Sequence, residues 1–182
     1  MITETDRRER FERVATDIAD PVQRYLRRRA SAHDADDAYS ETLMTVWRRI
    51  EAVPDGGEVP WALGVARKVL GNQRRSASRR LRLVEKVGGT AQDTSVPPPG
   101  EDDYPEVRAA LDALPDADRE VLTLWAWDEL EPREIAVVLD TTANAVSLRL
   151  SRAKTKLAAE LARQNPVAAG QEQVETAEEP QP

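Results

Sequence analysis

The chain has 182 residues, 40% hydrophobic, 32% charged and 4% aromatic, which suits one domain or two small ones and is thin in aromatics for a single large core. It has no cysteine and one histidine, His33, which excludes disulfides, thiolate zinc sites and cysteine nucleophiles and leaves little for histidine-based metal or acid–base chemistry. Its net charge of -7 argues at first sight against a nucleic-acid partner.

The charge changes sign along the chain. Residues 1–84 hold 17 Lys and Arg against 13 Asp and Glu, and within them 61–84 hold seven basic residues and no acid. Residues 85–106 hold one basic and six acidic residues, 107–164 eight against ten, and 165–182 four Glu. The bulk acidity therefore sits largely outside the periodic segments. No apolar run approaches the ~18 residues of a membrane span, and the N-terminus lacks the apolar stretch of a secretory signal. The expectation is a cytoplasmic chain without cofactor, metal, small-molecule substrate or membrane insertion.

In chain order, apolar residues at three- and four-residue steps predict helix at Phe11, Val14 and Ile18 and again at Val22, Tyr25 and Leu26. A third helix opens at Asp34-Ala35-Asp36-Asp37, where a helix dipole favours acids, and Ala35, Ala38, Thr42, Val46 and Ile50 trace one face down to Arg48 and Arg49. Pro54 to Gly57 breaks the chain. Pro60 suits the first position of a fourth helix, with Ala62, Val65 and Val69 inward, until the sequence turns wholly polar at Asn72-Gln73-Arg74-Arg75.

From Gly88 to Glu101 the run GGTAQDTSVPPPGE has nothing that can offset the entropy of ordering. Residues 85–104 are therefore expected to link a lobe over 1–84 to a lobe over 105–164, and 165–182 to be a disordered acidic tail. In the second lobe Pro105, Pro115 and Pro132 suit helix starts, Val121, Leu122, Leu124 and Trp125 supply core, and Ile135, Ala136 and Leu139 face inward. Asp140-Thr141-Thr142 ends that helix, since Asp tolerates a left-handed turn and Thr142 can cap the next one. Val146, Leu150, Ala153, Leu157 and Leu161 form the seam of the last helix. Two helices joined by a three-residue turn make a helix-turn-helix pattern.

At 100° per residue, Asn144, Leu148, Ser151, Arg152 and Thr155 point away from that seam and Ser147 lies on its flank. Asn pairs with adenine, Arg with guanine or phosphate, and Leu148 suits a thymine methyl, whereas a merely solvated face more often carries Glu and Lys. The acid-free block Arg67, Lys68, Arg74, Arg75, Arg79, Arg80, Arg82 repels itself unless an anion is near, so phosphate is its economical partner, although a solvated helix end has the same composition. Asp36, Asp37, Ser40, Glu41 and Arg48 decorate the exposed side of the third helix, as surface charges or as a docking face. Trp47, Trp61, Trp125 and Trp127 read as core or interface anchors, and His33 as an exposed turn residue.

These pieces, in this order, resemble a bacterial RNA polymerase sigma factor of the extracytoplasmic-function type, which keeps only regions two and four. DADDAYSETLMTVWRR (34–49) is similar to region 2.2, PWALGVARKVLGNQRR (60–75) to regions 2.3 to 2.4, and LPDADREVLTLWAWDELEPREIAVVLDTTANAVSLRLSRAKTKL (114–157) to region four. The resemblance runs from about Phe11 to Leu161 and implies an all-α fold of two small helical domains joined by a flexible linker. It implies docking on the clamp helices of the polymerase beta-prime subunit through Asp37, Ser40, Glu41 and Arg48. A minus-ten base would be captured by the loop from Glu51 to Glu58, and that DNA held by Arg67, Lys68, Asn72, Arg74 and Arg75. The minus-thirty-five element would be read by Thr142, Asn144, Ser147, Leu148, Ser151 and Arg152, and the beta flap gripped by Leu122 and Trp125. An anti-sigma factor is a further implied partner. Glu131 departs from the pattern, standing where the family has a Ser or Thr cap.

Three other readings compete, one of them a helical adaptor that only binds protein. A stand-alone helix-turn-helix regulator would normally need a dimerisation helix or a ligand pocket, and neither is evident. An enzyme using Asp34, Asp36 and Asp37 would place its acids in a first helical turn with no His partner, where a dipole role suffices.

Overall fold

The computed structural model describes residues 3–86 and 104–164, with side chains over 3–79 and 104–164. Most of the expected linker and the whole expected tail lie outside the described residues. Among the described residues every regular element is helical: α1 (Glu4–Arg27), α2 (Ala32–Arg48), a 3-10 turn (Ile50–Ala52), α3 (Glu58–Lys86), α4 (Pro105–Asp112), α5 (Asp116–Ala126), α6 (Pro132–Leu139) and α7 (Ala143–Gln164).

α1 is one helix of 24 residues where the sequence suggested two, and Pro21 lies inside it. A proline there cannot donate to the carbonyl one turn back, a cost of about 3 kcal/mol. The helix continues because Ile18, Val22, Tyr25 and Leu26 on either side are buried, each large apolar side chain contributing roughly 1.5–3 kcal/mol. Thr3 and Asp6 cap its start reciprocally, the Asp6 amide donating to Thr3 Oγ1 at 3.1 Å and the Thr3 amide to Asp6 Oδ2 at 3.1 Å. Ser31 caps α2 through the Asp34 amide, and the predicted face Ala35, Ala38, Thr42, Val46 and Ile50 is buried throughout. The Thr42 hydroxyl is satisfied by donating to the Ala38 carbonyl at 2.7 Å.

α3 begins at Glu58, two residues before Pro60, and runs to Lys86, well past the polar run at Asn72 where the sequence appeared to stop. Arg, Leu, Ala and Lys are good helix formers even without a partner face, so polarity alone did not end it. α1, α2 and α3 pack mutually into a three-helix unit.

The second unit is gathered around α7, against which α4, α5 and α6 all pack. Pro105 and Pro132 open their helices, while Pro115 stands one place earlier, as the cap residue of α5. Asp140 has φ 56° and ψ 53°, the left-handed turn expected of it, and Thr142 Oγ1 accepts from the Ala145 amide at 3.2 Å. At Glu131 the amide donates to Glu134 Oε2 at 2.8 Å, so a carboxylate three residues on serves the capping role there.

The two units lie against each other. α3 packs on α6, and the buried apolar cluster is continuous through both, including Leu63, Ala66, Ile135 and Val138. Gly64 stands at the crossing, where an added Cβ would lie 3.6 Å from the Val137 carbonyl and from Val138 Cα. A methyl just fits, and anything larger would push the helices apart.

Candidate nucleic-acid interface

α7 presents the predicted outer face to solvent. Asn144, Ser147, Leu148, Ser151, Arg152 and Thr155 are all exposed, Leu148 to 52%, while Val146, Leu150 and Ala153 are buried. Ser147 donates its hydroxyl to the Ala143 carbonyl at 2.9 Å and Thr155 to that of Ser151 at 3.2 Å, which leaves their oxygens as acceptors. Behind this face α7 is tied to α5, with Lys156 Nζ 2.5 Å from Asp118 Oδ2 and Lys154 Nζ 3.4 Å from the centre of the Trp125 ring. Arg149 and Arg133 are exposed as well. They add positive charge that the single arginine of the predicted face did not count.

The α3 face is already engaged. Arg67 puts Nε and Nη2 on the two oxygens of Glu120 at 2.7 and 3.0 Å, and this hydrogen-bonded pairing holds its guanidinium above the ordinary arginine range against the opposing effect of burial. Lys68 Nζ lies 3.8 Å from Asp140 Oδ2. Arg74 Nη2 donates to the Arg29 carbonyl at 2.6 Å and Arg75 Nη2 to Asn72 Oδ1 at 2.5 Å. Two further cations that the spacing did not single out join this surface. Arg28 and Arg29, just past the end of α1, bind the Oδ1 and Oδ2 of Asp128 at 2.6 and 2.8 Å. The run Arg27-Arg28-Arg29 was the available signal, but nothing in the sequence names a partner 100 residues away.

The loop before α3 is pinned from α1. Arg10 Nη2 donates to the Val53 carbonyl at 2.7 Å and to Asp55 Oδ1 at 2.9 Å, Gly56 takes φ 76°, and its amide donates to Glu58 Oε1 at 3.0 Å. Backbone N–H groups of Glu58 and Gly56, with Arg10 and Arg13 nearby, hold the Glu58 carboxyl below the usual carboxylate range.

On α2, Asp36, Asp37, Ser40, Glu41 and Arg48 are exposed or half-exposed. His33 is exposed, as expected, but stands in the first turn of α2, 3.7 Å from Asp37. Arg48 also borders an open apolar cleft with Phe11, Leu43, Met44 and Trp47, where Phe11 meets Trp47 edge to face at 5.2 Å. Trp125 and Trp127 are 41% and 46% exposed, so they face outward instead of anchoring the core. Leu122 is only 3% exposed. It belongs to the interior of the second unit and offers no side chain to a partner, unlike Trp125 one turn on. Among the described residues no His, Asp and Glu cluster could hold a metal, and no helix is long and apolar enough to cross a membrane.

Residues 14–80 match the Sigma-70 region 2 family and residues 105–157 the Sigma-70 region 4 family. The chain is 30% identical over 133 residues to the ECF RNA polymerase sigma factor EcfG of Rhodopseudomonas palustris (strain TIE-1), covering 71% of this chain and 72% of that one. The chain belongs to the ECF sigma factors. It is a promoter-directing transcription initiation factor that binds core RNA polymerase and promoter DNA, in a family of non-enzymatic transcription factors. The fold of this sigma factor is also that of two solved structures. One is the sigma factor RpoE in complex with the anti-sigma factor NepR from Bartonella quintana, with a TM-score of 0.62 and 21% identity over 83% of this chain and 96% of that one. The other is CnrH in complex with the cytosolic domain of CnrY, with a TM-score of 0.55 and 22% identity over 83% and 86%. In the sigma factor, the region 2 match runs from within α1 through α2 into α3, and the region 4 match includes α6 and most of α7, the helix-turn-helix.

Proposed function

We propose a division of labour within this cytoplasmic initiation factor. Residues 1–84 bind core polymerase and the minus-ten element, 105–164 bind the minus-thirty-five element, 85–104 link them, and 165–182 are an acidic tail. Asp37, Ser40, Glu41 and Arg48 meet the beta-prime clamp helices, with Met44 and Trp47 of the adjoining cleft supplying apolar area. Trp125 alone, without the buried Leu122, meets the beta flap. Arg67, Lys68, Asn72, Arg74 and Arg75 hold minus-ten DNA, beside the loop that Arg10 pins. Thr142, Asn144, Ser147, Leu148, Ser151 and Arg152 read minus-thirty-five, where Asn and Arg match adenine and guanine edges. An anti-sigma factor is a further partner, since a protein of the same fold, RpoE, is in complex with the anti-sigma factor NepR.

The observation that carries this reading is the exposed, carboxylate-free face of α7 on a Thr142-capped recognition helix, in one chain with a region 2 unit. Run-off transcription with purified core polymerase on a fragment library is the test. Promoter-specific transcripts that require this chain are expected. Tight, specific binding of a promoter by the chain alone at about 150 mM salt, with no effect of core polymerase, would return the stand-alone regulator.

A further inference from the structure

Arg28 and Arg29 have no part in the proposed division of labour, yet they lie on the same surface as the minus-ten candidates. They follow the C-terminal end of α1, where the helix dipole favours cations. Arg74 of α3 donates to the Arg29 backbone carbonyl, and Arg29 stacks 3.8 Å over the Tyr25 ring. Arg28, Arg29, Arg67 and Arg74 thus form one basic patch on region 2. What covers it belongs to region 4: Asp128, whose side chain is 3% exposed, takes Arg28 and Arg29, and Glu120 takes Arg67 as a two-point fork.

A guanidinium fork binds a carboxylate and a phosphate with the same planar geometry. Asp128 must divide its two oxygens between two arginines, and Arg28 Nε is left buried without an acceptor. A buried donor without a partner is costly. A phosphate, offering more oxygens than a shared carboxylate, would satisfy it. Removing the carboxylates leaves the arginine charges buried without partners, which disfavours closure strongly. Exchange of the carboxylates for another anion keeps each charge paired and avoids that cost.

We propose that Arg28 and Arg29, with Arg67, are a DNA-phosphate site on region 2, masked by Asp128 and Glu120 of region 4 as carboxylate stand-ins until the two units part. Promoter geometry supplies the reason to part, since elements separated by two helical turns are about 70 Å apart, far beyond units in direct contact. The site extends the proposed minus-ten surface and rests on that reading for Arg67 and Arg74, but not for Arg28 and Arg29.

The test uses the full chain and a fluorescent, mixed-sequence, single-stranded DNA 20-mer. The chain lacks cysteine, so Thr16→Cys and Ala159→Cys, both at exposed positions, report the distance between the units. Glu120→Gln with Asp128→Asn should lengthen that distance and tighten DNA binding about tenfold. Adding Arg28→Gln and Arg29→Gln should leave the units apart, remove most of the gain, and lower the log–log salt slope by about 0.7 per arginine. Units that open without tighter binding, tightening that survives the arginine changes, or a distance and affinity that do not move would each overturn the proposal. If the double variant loses helix by circular dichroism, Asp128→Asn alone carries the same comparison. Arg74→Ala in the opened background separates the two readings: if it changes nothing while Arg28→Gln and Arg29→Gln abolish binding, the α3 assignment fails and the new site stands.

Discussion

The α3 and α7 faces, both proposed to meet DNA, differ in that only one of them is satisfied by the chain itself. On α3, Arg67 and Lys68 are paired with Glu120 and Asp140. On α7, Asn144, Leu148, Ser151 and Arg152 stay open to solvent. On the proposed division of labour the difference stems from the ligand each face would recognise. A phosphate is a point of charge with a fork of oxygens, and any well-placed carboxylate imitates it. A base edge is a pattern of donors, acceptors and methyl groups, and no side chain of the same protein reproduces that. A backbone-holding face can therefore be masked internally, whereas a base-reading face has only its site to bind.

The largest effect expected lies on a third surface, which separates polymerase binding from both DNA faces. Charge reversal at Asp37 and Glu41 should abolish core polymerase binding while leaving helical content intact, because both are exposed on α2. An unchanged affinity in a pull-down titration would sink that docking face and leave the comparison between α3 and α7 untouched.

Next in size is the pH response of the covered α3 side. Burial pushes the Tyr25 hydroxyl up to about 12 from its ordinary 10, with Arg29 and Arg67 opposing and Glu120 and Asp128 reinforcing the shift. Below pH 10 folded and unfolded chains both keep the proton, and the contribution of Tyr25 is whole. Between about 10 and 12 only the unfolded chain gives it up, so stability falls as pH rises, on the order of 2–3 kcal/mol at the limit. Tyr25→Phe should remove this part of the alkaline loss. Denaturant midpoints of the two proteins that fall in parallel from about pH 9 to 12 would show that Tyr25 is not its source.

The faces should also differ in how they fail. Asn144→Ala and Arg152→Ala should each cost about 1–3 kcal/mol at the cognate minus-thirty-five element and little elsewhere. Arg74→Ala and Arg75→Ala should weaken opening at every promoter and reduce the salt slope by about one unit per lost contact. Transcription from a panel of minus-thirty-five variants distinguishes them. Equal depression of all variants by the α7 substitutions would reduce that helix to a backbone clamp.

What was legible in the sequence was local. The seam of α7, the left-handed Asp140 and the Thr142 cap depend on residues within one or two turns, and each lies where the spacing put it. The end of α3 was misjudged because exposed Arg and Ala continue a helix as readily as they finish one. The apolar steps divide into two sets at Ile18 and Val22, and only the burial of both shows that one helix runs through Pro21. Leu122 and Trp125 are three residues apart and only about 60° apart round the helix, so spacing alone does not say that Leu122 is buried and Trp125 exposed. The pairs Arg28 with Asp128 and Arg67 with Glu120 leave no periodic trace at all, since their separation in sequence is set by the fold.

The smallest effect distinguishes support of the recognition helix from contact with DNA. Thr142 Oγ1 accepts from the Ala145 amide, which satisfies one of the unpaired donors at the start of α7. Thr142→Ala should therefore cost about 1 kcal/mol of stability, and Thr142→Ser should recover most of it. The hydroxyl hydrogen is not consumed by accepting that bond, so it can still be donated to a phosphate oxygen. If it is, Thr142→Ala weakens holoenzyme binding at all minus-thirty-five sequences by more than its stability loss explains, and Thr142→Ser does not. Equal promoter binding by the Ala and Ser variants, measured well below the unfolding transition, would leave Thr142 as a cap alone, and α7 would then begin reading at Asn144.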